Sequence, residues 1–291
     1  MATLREHWHG KSRVRVLKRT IQGSTHNVLE LTVAIQLWGD TSHVFLNGDN
    51  TDLVATDTMK NTVYCVAKTT NYDSLEQYGL ALSQHFLSNY PVLSKVQVNI
   101  REHPWIRLET KSGPHQHGFT RDRNDYHIGC VVRDRSSVTV SSGIRDLVVL
   151  KTTQSGFVGF KRDKYTLLPE VTDRFLATNV SADWTYTVTP DSKTQFNAIY
   201  ESVRSSLVDT FFGPPNTGVY SKSVQETMFK MGEAVLKSVA NVANVALDMP
   251  NIHFLPVPQL ASHGLKWEND IFNPTDEPHG TIGATVTRSK M

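Results

Sequence analysis

Cysteine is scarce in this sequence, since only Cys65 and Cys130 occur among 291 residues. The two stand far apart and belong to no Cys-x-x-Cys pair or Cys/His ligand spacing. This pattern argues against a disulfide-stapled secreted domain and favours a reducing compartment. We expect both thiols to be buried and inert.

Long apolar runs are absent as well. The first segment, MATLREHWHG, is polar and does not resemble a secretory signal. The stretch VLELTVAIQLW is too short and too charged to cross a bilayer. We therefore expect a soluble, intracellular protein without a membrane partner.

Neither sign of charge dominates, because 30 Lys and Arg residues are matched by 28 Asp and Glu residues. No long basic run occurs, so the electrostatics give no reason to expect nucleic acid as a partner. The sequence also lacks a G-x-G-x-x-G fingerprint, a P-loop, a G-x-S-x-G elbow and an EF-hand loop. The remaining expectation is a folded protein, large enough for two domains, that binds a small molecule.

Alternation of apolar and polar residues in SRVRVLKRTIQ and NVLELTVAIQLWG predicts a long β-hairpin. A short helix is expected at about 58–68, and a longer one in YDSLEQYGLALSQHFLSNYP. Asp73 and Glu76 fit a capping box for the longer helix, and strands follow in VLSKVQVNIREHPWIRLET and HIGCVVRDR. The spacing of the longer helix predicts its buried face: Leu75, Tyr78, Leu82 and Phe86.

The second half shows the same order of elements. Strands are predicted in SSVTVSSGIRDLVVLKTT and LATNVSADWTYTV, then a helix ended by FGPP, then a helix in SVQETMFKMGEAVLKSV. Closing strands are predicted in VANVALDM, IHFLPV and TIGATVTR. The first of these helices should bury one apolar face: Phe196, Ile199, Val203, Leu207 and Phe211.

This order predicts an α+β protein made of two antiparallel ββααββ units, residues 1–135 and 136–291. The duplication is inferred from element order, because the halves share no visible sequence identity. Helices on one face leave the other face of each sheet and its long edges to be covered. We therefore expect an oligomer whose sheets join across subunits.

Two helix starts carry small polar residues. Thr56 and Asp57 lead into the first short helix and are good capping residues by type. Ser223 forms a capping box with Glu226, which places Val224 and Gln225 in the first turn. Both starts are compatible with ordinary caps, or with free amides and a positive helix end that bind an anionic or carbonyl-bearing ligand.

Five further residues are candidates for binding or proton transfer. Arg174 precedes a predicted strand, where its planar fork could meet a planar acceptor. Phe157 lies in a glycine-containing loop and could stack on a flat ring. Lys11, and His253 near Asn251, could transfer protons if their surroundings tune them. Each residue also has an ordinary structural interpretation.

Three histidines offer a metal site as the main competing interpretation. His103, His115 and His117 lie in EHPWIRLETKSGPHQHGF, and a His-x-His pair on a strand presents both imidazoles to one face. The proline and glycines of SGPHQHG favour a plain surface loop instead.

The motifs, taken in order, resemble those of the uricase (urate oxidase) family over nearly the full length. The matching segments are HGKSRVRVLK, VATDTMKNTVY, QSGFVGFKRDKYTLLPE with DRFLATN, QFNAIYESVR, SVQETMFKM and MPNIHFLPV. The resemblance implies the tandem tunnelling fold, a homotetramer with a barrel-lined tunnel, and active sites at subunit interfaces. It also implies oxidation of urate by dioxygen and water to 5-hydroxyisourate and hydrogen peroxide without metal, flavin or haem.

The resemblance implies a binding role for several of these residues. Arg174 and Gln225 would hold the flat purine, and Val224 would donate its backbone amide. Phe157 would stack on the ring, and Ile282 would form an apolar wall.

The remaining roles concern the reaction itself. Thr56 and Asp57 of a neighbouring chain would bind the five-membered edge of the purine. Lys11, Thr56 and His253 would form a proton relay, and Asn251 with Thr56 would hold dioxygen and later water.

The C-terminal tripeptide Ser289, Lys290 and Met291 resembles the S-K-L import signal, which implies a peroxisomal receptor as partner. If the import receptor does not recognise this tripeptide, we expect the protein to be cytoplasmic. Two alternatives to urate oxidation stay open. One is another purine or pterin enzyme of the tunnelling fold, a group in which some members use zinc; the other is a non-catalytic binding protein with the same fold.

Overall fold

The computed structural model describes residues 2–289, which divide into two compact units. Unit 1 comprises the described residues up to Gly143 together with Thr185–Tyr200. Unit 2 comprises Ile144–Trp184 and the described residues from Glu201 onwards. Among residues 2–289, no helix is both long enough and apolar enough to cross a membrane.

The first part of the chain follows the predicted order of strands and helices, with additions. Its elements are β1 (His9–Gln22), β2 (Thr25–Gly39), α1 (Ser42–Asn47), α2 (Thr56–Thr69), α3 (Leu75–Asn89), β3 (Leu93–Glu102), β4 (Ile106–Thr110), β5 (Gly113–Thr120) and β6 (Tyr126–Asp134).

The second part repeats strands, helices and strands. Its elements are β7 (Val138–Lys151), β8 (Leu176–Tyr186), α4 (Phe196–Phe212), α5 (Val224–Ser238), β9 (Val242–Asp248), β10 (Asn251–Pro256), a 3₁₀ helix (Pro258–His263), β11 (Phe272–Thr275) and β12 (Gly283–Thr287).

The sheet of unit 1 has the strand order β1, β2, β3, β6 and the first part of β7. The pairs from β1 to β6 are antiparallel. Alternation along β2 puts four fully buried side chains on one face, and α2 and α3 cover that face. Each such side chain contributes about 1.5 to 3 kcal/mol through burial. The four are Leu31, Val33, Ile35 and Leu37.

Unit 2 is built around β8, which pairs antiparallel with β10 and also neighbours β9. β9 pairs antiparallel with β12, and β10 with β11. Gly232 lets α5 approach β12 closely, because a Cβ at this position would lie 2.5 Å from Cγ2 of Val286. The predicted apolar faces of α3 and α4 are buried in the fold, which confirms the helical periodicity.

The predicted strand through VLSKVQVNIREHPWIRLET is interrupted between β3 and β4. Pro104 lies in this gap and has no N–H to donate to a ladder. The segment SGPHQHG was expected to favour a loop, but all of it except Ser112 belongs to β5, which pairs antiparallel with β4. Gly113 has a φ of 113° at the hairpin turn, a backbone conformation that glycine adopts readily. The glycine therefore marks a tight turn between two strands and not a surface loop.

Two local predictions were wrong. The cap of α3 is Ser74, whose hydroxyl accepts from the Gln77 amide, whereas Asp73 and Glu76 had been expected. The Gln77 side chain completes the capping box by accepting from the Asp73 amide at 3.1 Å. Of the two free cysteines, Cys65 is exposed and Cys130 is half-buried, so neither is fully buried.

Candidate active site

The irregular segment between β7 and β8 places Phe157 and Arg174 together in unit 2. The backbones of Phe157 and Val171 exchange two hydrogen bonds, of 2.7 and 3.1 Å. The Arg174 amide donates to the Ser155 carbonyl at 2.9 Å. These bonds bring the Arg174 guanidinium to 5.2 Å from the centre of the Phe157 ring, within cation–π distance.

The Arg174 side chain has a donor available for a ligand. Its Nε atom is buried and has no hydrogen-bond partner among the described residues. Burial lowers the pKa of the guanidinium, although nearby Tyr220 opposes this shift. A buried donor without a partner is costly, so this geometry favours a planar acceptor at the site.

The start of α5 lies beside this segment because Ser155 and Ser221 form an isolated parallel bridge. The Ser221 amide donates to Gln154, and the Gly156 amide donates to Ser221. Residues 154–156 are thus bonded both to Arg174 and to Ser221, which shortly precedes α5, so two segments far apart in the sequence adjoin the same stretch of unit 2.

The first turn of α5 is capped as the sequence predicts. The Ser223 hydroxyl accepts from the Glu226 amide at 3.1 Å, and the Glu226 carboxylate accepts from the Lys222 amide. This capping box leaves the amides of Val224 and Gln225 without an acceptor inside the helix. The Val224 side chain is buried and that of Gln225 is exposed, so Gln225 is free to reach a ligand.

Lys151 supports the approach to α5 and was missed by sequence reasoning. Its buried Nζ donates to the Val219 carbonyl and the Ser221 hydroxyl at 2.8 Å each. A third bond, of 3.3 Å, reaches the Phe211 carbonyl at the end of α4. Burial lowers the pKa of Lys151 to about 8, with a smaller effect from the charge of Lys230. A lone lysine at the end of a strand carries no sequence signal of this role.

Asn251, His253 and Ile282 also lie in unit 2. The Asn251 amide donates to Gly280 at 3.0 Å, and the Met249 amide donates to Ile282 at 2.8 Å. Asn251 stands opposite Thr178 on β8, the strand that begins two residues after Arg174. Both Asn251 and His253 are partly exposed on β10.

The start of α2 in unit 1 differs from the expectation that Thr56 and Asp57 are caps. Ala55 is the N-cap and makes no side-chain bond, while Thr56 is the first helical residue. The Asp57 carboxylate accepts from Lys60 and Asn61 further along the helix. No side chain among residues 2–289 therefore caps the first amides of α2, and such amides are available to an anionic or carbonyl-bearing ligand.

Lys11 lies on β1 within electrostatic range of this helix start. The pKa of the Asp57 carboxyl is lowered mainly by the hydrogen bond and charge of Lys60, with smaller contributions from Asn61 and Lys11. Unit 1 thus contains Lys11, Thr56 and Asp57, and unit 2 contains the other predicted site residues.

The three histidines of the metal alternative do not form a ligand set. His115 and His117 are adjacent on β5, with ring centres 4.5 Å apart. His103 instead bonds to Thr32 Oγ1 at 2.7 Å. In the part of the chain that the structure describes, no group of three or more His, Cys, Asp or Glu residues has metal-binding geometry.

Within unit 2, the unpartnered Nε of Arg174, the nearby Phe157 ring and the first turn of α5 are typical of a class of protein that binds a flat ligand with polar edges. The uricase family model matches residues 7–132 and 140–283. Uricase-2 isozyme 2 of Glycine max is 46% identical over 97% of this chain and 94% of its own length. Uricase of Dictyostelium discoideum is 42% identical, with 99% of each chain covered.

A solved structure agrees with these relatives. The crystal structure of uricase from Arthrobacter globiformis has a TM-score of 0.90 and 34% identity, covering all of this chain (100%) and 96% of that one. The chain belongs to the uricase family. The predicted tunnelling fold is confirmed, and the zinc-dependent alternative finds no support in these matches.

Proposed function

We propose that this chain is a urate oxidase, which converts urate, dioxygen and water into 5-hydroxyisourate and hydrogen peroxide. The observation that carries the proposal is the buried, unpartnered Nε of Arg174 beside the Phe157 ring. Urate is flat and anionic and has carbonyl and imide edges that can satisfy this donor. Membership of the uricase family supports this ligand above other planar anions.

Unit 2 supplies the residues that hold the purine. We call this set the grip: Arg174, Gln225, Val224, Phe157 and Ile282. Arg174 donates a planar fork to one edge, and the Gln225 amide adds one donor and one acceptor. The Val224 amide lies at the positive end of α5, where negative charge is stabilised. Phe157 stacks on the ring, and Ile282 forms an apolar wall. Analogues that leave buried groups unpaired bind less well.

A second copy of the chain completes the site. Thr56 and Asp57 at the uncapped start of α2 bind the five-membered edge of the purine. These residues and Lys11 come from unit 1 of one chain, and the grip comes from unit 2 of its neighbour. The assembly is a homotetramer. Each chain carries two tandem ββααββ repeats, residues 1–135 and 136–291, whose boundary differs from that between units 1 and 2. The gap in the family match between residues 132 and 140 supports this division.

The reaction needs proton removal before oxidation. Lys11, Thr56 and His253 relay a proton away from the bound urate anion, which leaves an electron-rich dianion. Asn251 and Thr56 hold dioxygen near the ring, and two electrons from the purine reduce it to peroxide. The peroxide takes up the relayed proton and a proton from water and leaves as hydrogen peroxide. The hydroxyl of that water, held in the same place, adds to the oxidised ring and gives 5-hydroxyisourate.

The location follows from the C-terminal tripeptide. Ser289, Lys290 and Met291 bind the peroxisomal import receptor, and the protein resides in the peroxisome. Lys290 and Met291 lie outside the described residues.

The test is urate consumption by purified chain after exhaustive treatment with a chelator. We expect the near-ultraviolet absorbance of urate to fall while hydrogen peroxide accumulates in equal amount. The Lys11→Met variant should lose turnover far more than urate affinity. Turnover that appears only after zinc is added, or only with a pterin, would instead support the alternative enzyme.

A further inference from the structure

The ladder between β1 and β2 is irregular next to Lys11. Lys11 stands opposite Ile35 and Val14 stands opposite Val33, so Ser12 and Arg13 together face a single residue, Ala34. Arg13 has a φ of 62°, in the left-handed region that favours glycine. Two residues against one, with one of them left-handed, constitute a β-bulge.

The bulge decides which face of the sheet carries Lys11. Residues directly opposite each other in a ladder project to the same face. Ile35 is fully buried under the helices, so its partner Lys11 points to the helix face. A regular strand counted back from Val14 would pair Lys11 with Gln36 and turn it to the opposite face.

Two contacts agree with this arrangement at the end of β1. His9, opposite the buried Leu37, has its Nε2 atom 3.0 Å from the Val54 carbonyl, two residues before α2. Gly10 lies so close to β2 that a Cβ would be 2.1 Å from the Ile35 carbonyl oxygen. The segment before the bulge is therefore pressed onto β2, beside the start of α2.

We propose that Arg13 is a positioning residue, whose left-handed backbone creates the bulge that sets Lys11 beside Thr56 and Asp57. This inference rests on the proposed function, in which Lys11 belongs to the proton relay. The Arg13 side chain is exposed and takes no part, since only its backbone conformation matters.

The test compares substitutions at Arg13 by steady-state kinetics with urate. Arg13→Gly favours the left-handed conformation and should keep the parent kcat. Arg13→Val resists it, so kcat should fall roughly tenfold or more, towards that of Lys11→Met. The KM for urate should change little, because the grip lies in unit 2. Arg19→Val is the matched control in the regular part of β1 and should leave kcat unchanged.

Deletion of Arg13 separates positioning from a general structural role. Without this residue the ladder becomes regular, with Ser12 opposite Ala34 and Lys11 again opposite Ile35. The deletion variant should therefore retain more turnover than Arg13→Val. A structural role alone predicts the reverse order, since removing a residue from a strand is the larger disturbance.

Two outcomes overturn the inference: parent-like kcat in Arg13→Val, or lower kcat in the deletion variant than in Arg13→Val. Normal turnover in Lys11→Met would instead remove Lys11 from the relay. Failure of the parent chain to oxidise urate would overturn the proposed function, so the three failures are distinguishable.

Discussion

Arg174 combines burial with an unused donor. Most buried polar groups in folded proteins have partners, and an orphaned guanidinium nitrogen costs free energy until a ligand satisfies it. Backbone hydrogen bonds of Arg174 and its neighbours hold this segment, which lies just before β8, in place despite that free-energy cost. The planar fork, with two donors on one edge, is the feature that lysine cannot reproduce.

Replacement of Arg174 by lysine should lower kcat/KM for urate. Loss of one charged hydrogen bond corresponds to roughly a 10- to 100-fold decrease. Arg145→Lys is a suitable control, because Arg145 also binds a carboxylate, donating from Nη2 to both oxygens of Asp183, and is not among the proposed site residues. Equal losses in both variants would contradict a specific role for the Arg174 fork.

Lys151 is a buried cation whose three acceptors are all uncharged. Its pKa of about 8 lies below the ordinary value of 10.5, because burial penalises the charged form. The unfolded chain therefore binds more protons between these two pH values than the folded chain does. The cost of the buried charge is present below pH 8 and is relieved as pH rises towards 10.5.

The free energy of unfolding should accordingly rise relative to that of Lys151→Met between pH 8 and 10.5, by roughly 1 to 3 kcal/mol. Urea denaturation of both proteins at several pH values measures this difference. Other titrating groups are common to the two chains and cancel in the comparison. A difference that does not vary with pH would contradict a pKa near 8.

Helices α3 and α5 have similar N-terminal sequences, but the side chains in their first turns make different contacts. Both α3 and α5 begin with a serine cap, in the segments Ser-Leu-Glu-Gln (74–77) and Ser-Val-Gln-Glu (223–226). The third residue of the α5 segment, Gln225, is exposed. The third residue of the α3 segment, Glu76, is fully buried, with Oε1 2.8 Å from His127 Nε2. It also accepts a hydrogen bond from Ser142. The two capped helix starts therefore differ in the side chain at this position, which is buried against His127 and Ser142 in α3 and exposed in α5.

Glu76→Ala should destabilise unit 1 by about 3 kcal/mol, because it leaves His127 and Ser142 buried without this partner. The midpoint of urea denaturation, followed by circular dichroism, reports the effect. Glu109→Ala on the exposed face of β4 serves as the control and should leave the midpoint unchanged. Wild-type stability in Glu76→Ala would show that the buried carboxylate is dispensable.

At the scale of the whole molecule, the proposed site draws on both units but requires two chains. Lys11, Thr56 and Asp57 belong to unit 1, and the residues that we propose hold the purine belong to unit 2. Under the proposed assembly, each site needs an intact α2 start from one chain and an intact Arg174 from its neighbour.

Co-expression of two inactive variants tests this arrangement. Thr56→Val and Arg174→Ala should each be inactive alone, while random mixing should restore about a quarter of the sites. Urate turnover per chain in the purified mixture measures the recovery, with each variant expressed alone as the control. A mixture as inactive as its components would place both halves of the site in the same chain.

The amino-acid sequence alone determined the features that depend on near neighbours. Helical spacing identified the buried faces of α3 and α4, and Ser223 with Glu226 marked the start of α5, because capping and amphipathicity act within a few residues. The ordered motifs identified the uricase family and its fold, and the relatives confirmed both. The roles of the individual site residues stay predictions.

Only the tertiary structure decided which distant residues meet. The bridge between Ser155 and Ser221 brings Arg174 to α5, and no local pattern encodes that pairing. Thr56 and Asp57 have the side chains of caps, yet the backbone makes Ala55 the cap and leaves the amides open. Arg13 takes a left-handed conformation against the preference of its side chain. In each case, long-range packing and strand pairing outweigh local propensity.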